Sequence, residues 1–156
     1  MNFRKFSLVA ALMTAACSSN AQDGTPKEQS NDSDLKTQVL TTKSANSSEE
    51  EWGSFVEYYS GETAGVSELL SGTATIKPGL EIHPPHRHAE EEFLMVLEGE
   101  GEWTIGEETF VAKKGDMLYA AAWDTHGIKN TGETPLTFVF WKWNSKGVPV
   151  PVDPEA

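Results

Sequence analysis

The chain has 156 residues, enough for one domain with appendages. It carries 24 Asp and Glu against 12 Lys and Arg, a net charge of −12. Such a surface repels nucleic-acid phosphates and gives no polybasic attraction to anionic lipid, so neither is expected as a direct partner.

The chain opens with Met1-Asn2-Phe3-Arg4-Lys5, and residues 6–16 are apolar except for Ser7 and Thr14. A basic start, a short apolar stretch and small residues after it predict a signal peptide over residues 1–16. The run is shorter than the about 20 residues that a membrane-spanning helix needs. Thr14-Ala15-Ala16-Cys17 resembles a bacterial lipobox, with Thr14 where Leu is usual. That resemblance implies a lipidated Cys17 and a protein anchored at the cell envelope. Cleavage after Ser19-Asn20-Ala21 is the other reading, and gives a periplasmic or secreted protein that has lost Cys17. Either cleavage removes Arg4 and Lys5 and no acid, so net charge goes from −12 to −14. Neither leaves a cysteine within the domain, which excludes a disulfide framework there.

Residues 17–51 are rich in Ser, Asn, Gln, Asp, Thr and Lys and hold no aromatic residue before Trp52. Too little apolar surface is available there to offset ordering entropy, so a disordered tether is expected. Residues 34–40 are its one exception, able to form a turn of helix or a swapped strand. From Trp52 on, Val, Ile, Phe, Tyr and Trp become frequent and Gly-containing breaks recur every eight to twelve residues, a pattern of short strands. Strands are predicted over residues 55–59, 67–76, 81–86, 92–97, 101–105, 108–111, 117–120, 126–130 and 136–143. No long segment has a helical period. The β domain is drawn at 52–145, and the proline-rich residues 146–156 read as an extended tail.

All four histidines fall in two short segments. The first reads His83-Pro84-Pro85-His86-Arg87-His88-Ala89-Glu90-Glu91-Glu92, the second Asp124-Thr125-His126-Gly127. Alternate strand residues share a face, so His86 and His88 point together. Glu92 falls on the inward face with Leu94 and Val96, which turns Glu91, Phe93 and Met95 outward. Three imidazoles and a carboxylate form a plausible metal site. Glu90 and Glu91 are alternatives to Glu92, and His83 is expected at the rim or without a role. On the last strand Phe138, Phe140 and Lys142 alternate with Val139, Trp141 and Trp143. Trp103, Trp123 and Tyr119 are candidates for the mouth of a pocket, although packing explains aromatic side chains as well. Tyr119 and Lys142 could also act as acid or base. No nucleophile triad and no phosphate-cradling loop is visible.

The two segments resemble the paired motifs of the cupin superfamily. The first motif, G-x5-H-x-H-x3,4-E-x6-G, is matched by His86, His88, Glu92 and Gly99, with six residues between Gly79 and His86. The second, G-x5-P-x-G-x2-H-x3-N, is matched by Gly115, His126 and Asn130. Ala121 stands where the family has Pro, and Trp123 where it has Gly. The likeness runs from about Trp52 to Asn144. It implies an all-β fold, a single cupin jelly-roll barrel (double-stranded β-helix) behind the disordered linker. It also implies one divalent ion (Fe, Mn, Zn, Ni or similar) on His86, His88, Glu92 and His126, with coordination positions left open. Oxygenase, isomerase, decarboxylase and lyase chemistry all occur on this fold, so the resemblance selects none of them. A metal-dependent enzyme acting on a small organic molecule is expected. A tethered, non-catalytic module that binds metal or a small ligand is the alternative. A homodimer through the sheet face that carries Phe93 is expected too.

Overall fold

Alternating apolar and polar residues set up the strands. The computed structural model describes residues 34–156. Its strands are β1 (Asn46–Glu50), β2 (Gly53–Gly61), β3 (Val66–Ile76), β4 (Glu91–Glu98), β5 (Glu100–Ile105), β6 (Glu108–Lys113), β7 (Met117–Ala120), β8 (His126–Lys129) and β9 (Leu136–Ser145). No helix is present among the described residues. A six-stranded sheet runs β1-β2-β3-β9-β4-β7 and a three-stranded sheet runs β6-β5-β8. Every strand pairing is antiparallel.

The core lies between the sheets. Ala74 and Ile76 of β3, Leu94 and Val96 of β4, Leu118 and Ala120 of β7, and Leu136, Phe138 and Phe140 of β9 face inward from the large sheet. Trp103, Ala112 and Ile128 meet them from the small one. β4 follows the predicted parity, with Glu92, Leu94 and Val96 buried and Glu91, Phe93 and Met95 only partly so. On the outer face Phe93 packs against Tyr119, Trp141 and Trp143, with ring centroids 5.0–5.8 Å apart.

Three expectations change. The sheet begins at Asn46, inside the segment read as tether, because β1 pairs with β2 over five rungs. All five β1 residues are exposed, so the strand contributes backbone hydrogen bonds and no apolar pattern. Residues 81–86 do not form a strand. Only Glu81 and His86 make isolated bridges, to Lys129 and His126, and Pro84 and Pro85 between them have no N–H to donate. Residues 34–40, read as able to form a turn of helix or a swapped strand, form neither a helical turn nor a full strand, only a single bridge. Asp34 bridges Glu62, and the Leu35 N–H donates to the Glu62 carbonyl at 2.7 Å. The signal segment, Cys17 and the tether up to residue 33 lie outside the described residues.

Asn130 fixes the end of β8. Fully buried, it donates from Nδ2 to the carbonyls of Ile76 (2.7 Å) and Thr134 (2.8 Å). Its Oδ1 accepts from the Gly132 N–H at 3.0 Å. One side chain thus holds β3, β8 and the turn before β9. Asn130→Ala leaves those groups unpaired and is expected to lower unfolding stability by about 2–4 kcal/mol, read as a shifted denaturant midpoint.

Candidate metal centre

The two histidine segments are joined through their own backbones. The His86 N–H donates to the His126 carbonyl, and the His126 N–H to the His86 carbonyl, both at 2.9 Å. The Trp123 N–H adds a third bond, to the His88 carbonyl at 2.7 Å. Gly127 permits this approach. A Cβ there would lie 3.1–3.3 Å from Pro85 atoms, closer than ordinary packing allows. Trp123 adopts φ +68°, a left-handed conformation that costs a non-glycine residue about 1–2 kcal/mol. The turn before His126 therefore keeps a glycine-like backbone with a tryptophan in it.

These bonds bring the ligating nitrogens of His86, His88 and His126 within 4.8 Å of one another, positioned to hold a metal ion. Glu92, on β4, contacts two of the three rings. Its Oε2 lies 3.0 Å from His126 Nε2 and 3.2 Å from His88 Nε2. The far nitrogens are also engaged: His126 Nδ1 donates to the Asp124 carbonyl at 2.8 Å and His88 Nδ1 to the Glu90 carbonyl at 3.0 Å. Carbonyl oxygens only accept, so each Nδ1 carries the hydrogen. A neutral ring then presents an Nε2 lone pair to the carboxylate, and the contact holds only with a proton or a cation between them. His86 Nδ1 is buried and has no hydrogen-bond partner among the described residues. The donor set therefore fits a cation, with two tautomers fixed by outer hydrogen bonds and a third nitrogen unclaimed.

Protonation follows the same geometry. Burial pushes His86 down to about 4, with His83, His126 and His88 acting in the same direction against Glu92. Burial alone would raise Glu92, but hydrogen bonds and charge from His126 and His88 outweigh it and hold the carboxyl at about 2. For His126, burial disfavours the charged form, yet the bonds to Glu92 and the Asp124 carbonyl win and raise it.

A cavity of about 160 Å³ opens at the cluster. Its polar wall is His83, His86, His88, Glu92, His126 and Lys142, and Phe55, Leu70, Ile82, Leu94 and Phe140 are among its apolar lining. His83 is exposed at the rim, its ring 4.1 Å from that of His86. Tyr119, Trp103 and Trp123, the sequence candidates for the pocket mouth, do not line it. Trp103 faces inward from β5 and is buried in the core. Tyr119 faces outward, where its hydroxyl donates to Glu91. Trp123 donates its indole N–H to the Pro151 carbonyl at 2.8 Å. Lys142, which the sequence offered as an acid or base, does line the cavity, on the same face of β9 as Phe138 and Phe140.

The C-terminal tail crosses back over this region. Besides Trp123, it engages Arg87, which pairs with Asp153 (3.1 Å) and Glu155 (2.6 Å). Arg87 lies between two of the clustered histidines, so the tail braces both loops. Ending the chain at Gly147 is expected to lower stability by about 1 kcal/mol, since exposed pairs contribute little, as a denaturant melt would show. A second expectation concerns pH. In metal-free protein the unfolded chain binds more protons at His86 between its ordinary 6.5 and the folded value of about 4. Stability conferred by this histidine therefore falls as pH drops through that window. Glu92 adds stability that is present above its ordinary 4.5 and lost as pH falls towards about 2. His126 opposes them, its contribution being present below 6.5 and lost as pH rises through the folded value. Melting of metal-free protein from pH 6.5 to 4 should show a shallower decline for His86→Gln than for wild type.

Residues 72–142 match the Cupin_2 family, described as a cupin domain. A gentisate 1,2-dioxygenase from Streptomyces is 33% identical over 60 residues, 38% of this chain and 17% of that protein. A 5-nitrosalicylic acid 1,2-dioxygenase from Bradyrhizobium is 33% identical over 76 residues, 47% of this chain and 36% of that protein. The chain thus spans well under two thirds of either relative. Among solved structures, an RmlC-like cupin from Shewanella frigidimarina superposes with a TM-score of 0.57 at 15% identity. That superposition covers 72% of this chain and 95% of the other, a likeness of fold. Residues 72–142 are thus similar to a cupin domain, and the double-sheet fold is shared with a solved cupin structure.

Proposed function

We propose that this protein is an envelope-located, metal-dependent enzyme acting on a small organic molecule, with one divalent ion held by His86, His88, His126 and Glu92. The reading is carried by one observation: the Nε2 atoms of His88 and His126 converge on Glu92 Oε2 while His86 Nδ1 has no hydrogen-bond partner among the described residues. A single cation answers all of these. A mixed set of imidazole and carboxylate suits zinc, iron, manganese or nickel. When bound, the ion supplies Lewis acidity to an oxygen of the substrate, or redox chemistry if it is iron. The protein's own part is to fix the ring tautomers through the Asp124 and Glu90 carbonyls and to enclose the substrate in an apolar cavity. The envelope location rests on the basic and apolar start followed by Thr14-Ala15-Ala16-Cys17.

The two relatives named as 1,2-dioxygenases make oxygen-dependent oxidation the first activity to test. The full chain, purified without a chelating tag, should retain about one equivalent of divalent metal after dialysis. His86→Ala with His88→Ala should lose it, by elemental analysis. Retention of a full equivalent by that double variant would overturn the site. Metal retention with no turnover across an oxygen-uptake panel of small organic acids and phenols would favour a binding module.

A further inference from the structure

Lys142 is a cation without a strong partner, set at the cavity wall. Phe138, Phe140 and Lys142 share one face of β9, the first two buried in the core and all three lining the cavity. Across the ladder between β4 and β9, Lys142 stands in register with Glu92. A lysine there could simply neutralise Glu92, but the contacts assign otherwise. Glu92 Oε2 is engaged by His88 and His126. The carboxylate that Lys142 reaches is Glu90, with Nζ to Oε1 at 3.5 Å. Charge-assisted hydrogen bonds are normally about 2.7–2.9 Å, so this one is weak. An ammonium has three hydrogens to donate, and the side chain keeps 26% of its surface exposed.

The charges then decide what fits. Glu92 and Glu90 bring two carboxylates to this end of the cavity, and Lys142 offsets only one of them. A divalent ion on the histidine cluster reverses the balance and leaves one positive charge uncompensated. The rest of the wall, including Phe55, Leu70, Ile82 and Leu94, is apolar. At about 160 Å³ the space is comparable to an apolar cavity of about 150 Å³ that admits benzene. The chain as a whole is strongly acidic, so any attraction for an anion has to be local to this wall.

We infer that the cavity binds a small organic monoanion, a carboxylate on an apolar body of about ring size, with Lys142 as its anchoring cation. The inference rests on the metal-centre reading above, because only the loaded site has charge to spare. Benzoate is the probe, and benzyl alcohol its uncharged counterpart. Both are titrated calorimetrically into zinc-loaded full-length protein, after zinc content has been measured. Benzoate should bind wild type, and Lys142→Met should weaken it by about tenfold or more at unchanged zinc content and melting temperature. Lys142→Arg should retain most of the affinity, and benzyl alcohol should not distinguish Lys142→Met from wild type. Equal benzoate affinity in Lys142→Met, or no benzoate binding by loaded wild type, overturns the anchor while leaving the metal centre standing. A chain that takes up no zinc overturns the metal centre, and with it the charge balance on which the anchor depends.

Discussion

A carboxylate buried between two imidazoles governs this molecule. Glu92 is only 7% exposed, and an ionised carboxylate in such a place is costly unless it is paired and hydrogen-bonded. His88 and His126 supply the pairing from a loop and from the start of β8, distant in sequence. Much of the surrounding structure serves to hold those two segments. The paired backbones of His86 and His126, the Trp123 bond to the His88 carbonyl and the close seat of Pro85 on Gly127 all fix the rings about Glu92. Removing the carboxylate would leave the imidazoles without their common acceptor. Removing one imidazole would leave a buried charge half compensated.

The same pairing explains why the cluster reads as a metal centre and not as a core ion network. In a structural network each donor finds an acceptor. Here both Nδ1 hydrogens are spent on carbonyls, the Nε2 atoms converge on one oxygen, and His86 Nδ1 has nothing to bond. Low pKa at His86 and Glu92 keeps the nitrogen unprotonated and the carboxylate charged, the forms that bind a cation. The raised His126 opposes this, since its bonds to Glu92 and the Asp124 carbonyl favour the protonated ring.

How much of this was legible in the sequence follows from what each feature writes into side chains. Period-two alternation in β4 put Glu92, Leu94 and Val96 inward, and the structure agrees because burial depends on that alternation. The histidine spacing brought together side chains that meet in space. β1 left no such mark, since Asn46, Ser47, Ser48, Glu49 and Glu50 contribute backbone and bury nothing. Residues 81–86 had strand-like composition, but two prolines removed the donors that a ladder needs. Trp103, Trp123 and Tyr119 were placed at a pocket by their chemistry alone. An aromatic ring suits a core, a loop clasp or an outer face equally, and these three occupy one of each.

Polarity along the inward faces changes in step across several strands, and this locates the site at one end of the sandwich. Moving along the sheet, Val96 stands beside Phe138, then Leu94 between Phe140 and Leu118, then Glu92 between Lys142 and Ala120. On the facing sheet β8 makes the same change, from Ile128 in the core to His126 at the cluster. β4, β9 and β8 thus give up their apolar residues at corresponding rungs, while β7 keeps Ala120. The apolar rungs provide the burial that holds the sheets together. The final rung cannot do so, since its charges need partners or water. Placed at the mouth, it meets the cavity, and its charges face the space a ligand would fill. Sandwich stability and site chemistry are therefore divided by position along the same strands. Substitutions at Lys142 should alter binding far more than folding, and substitutions at Val96 or Phe138 the reverse.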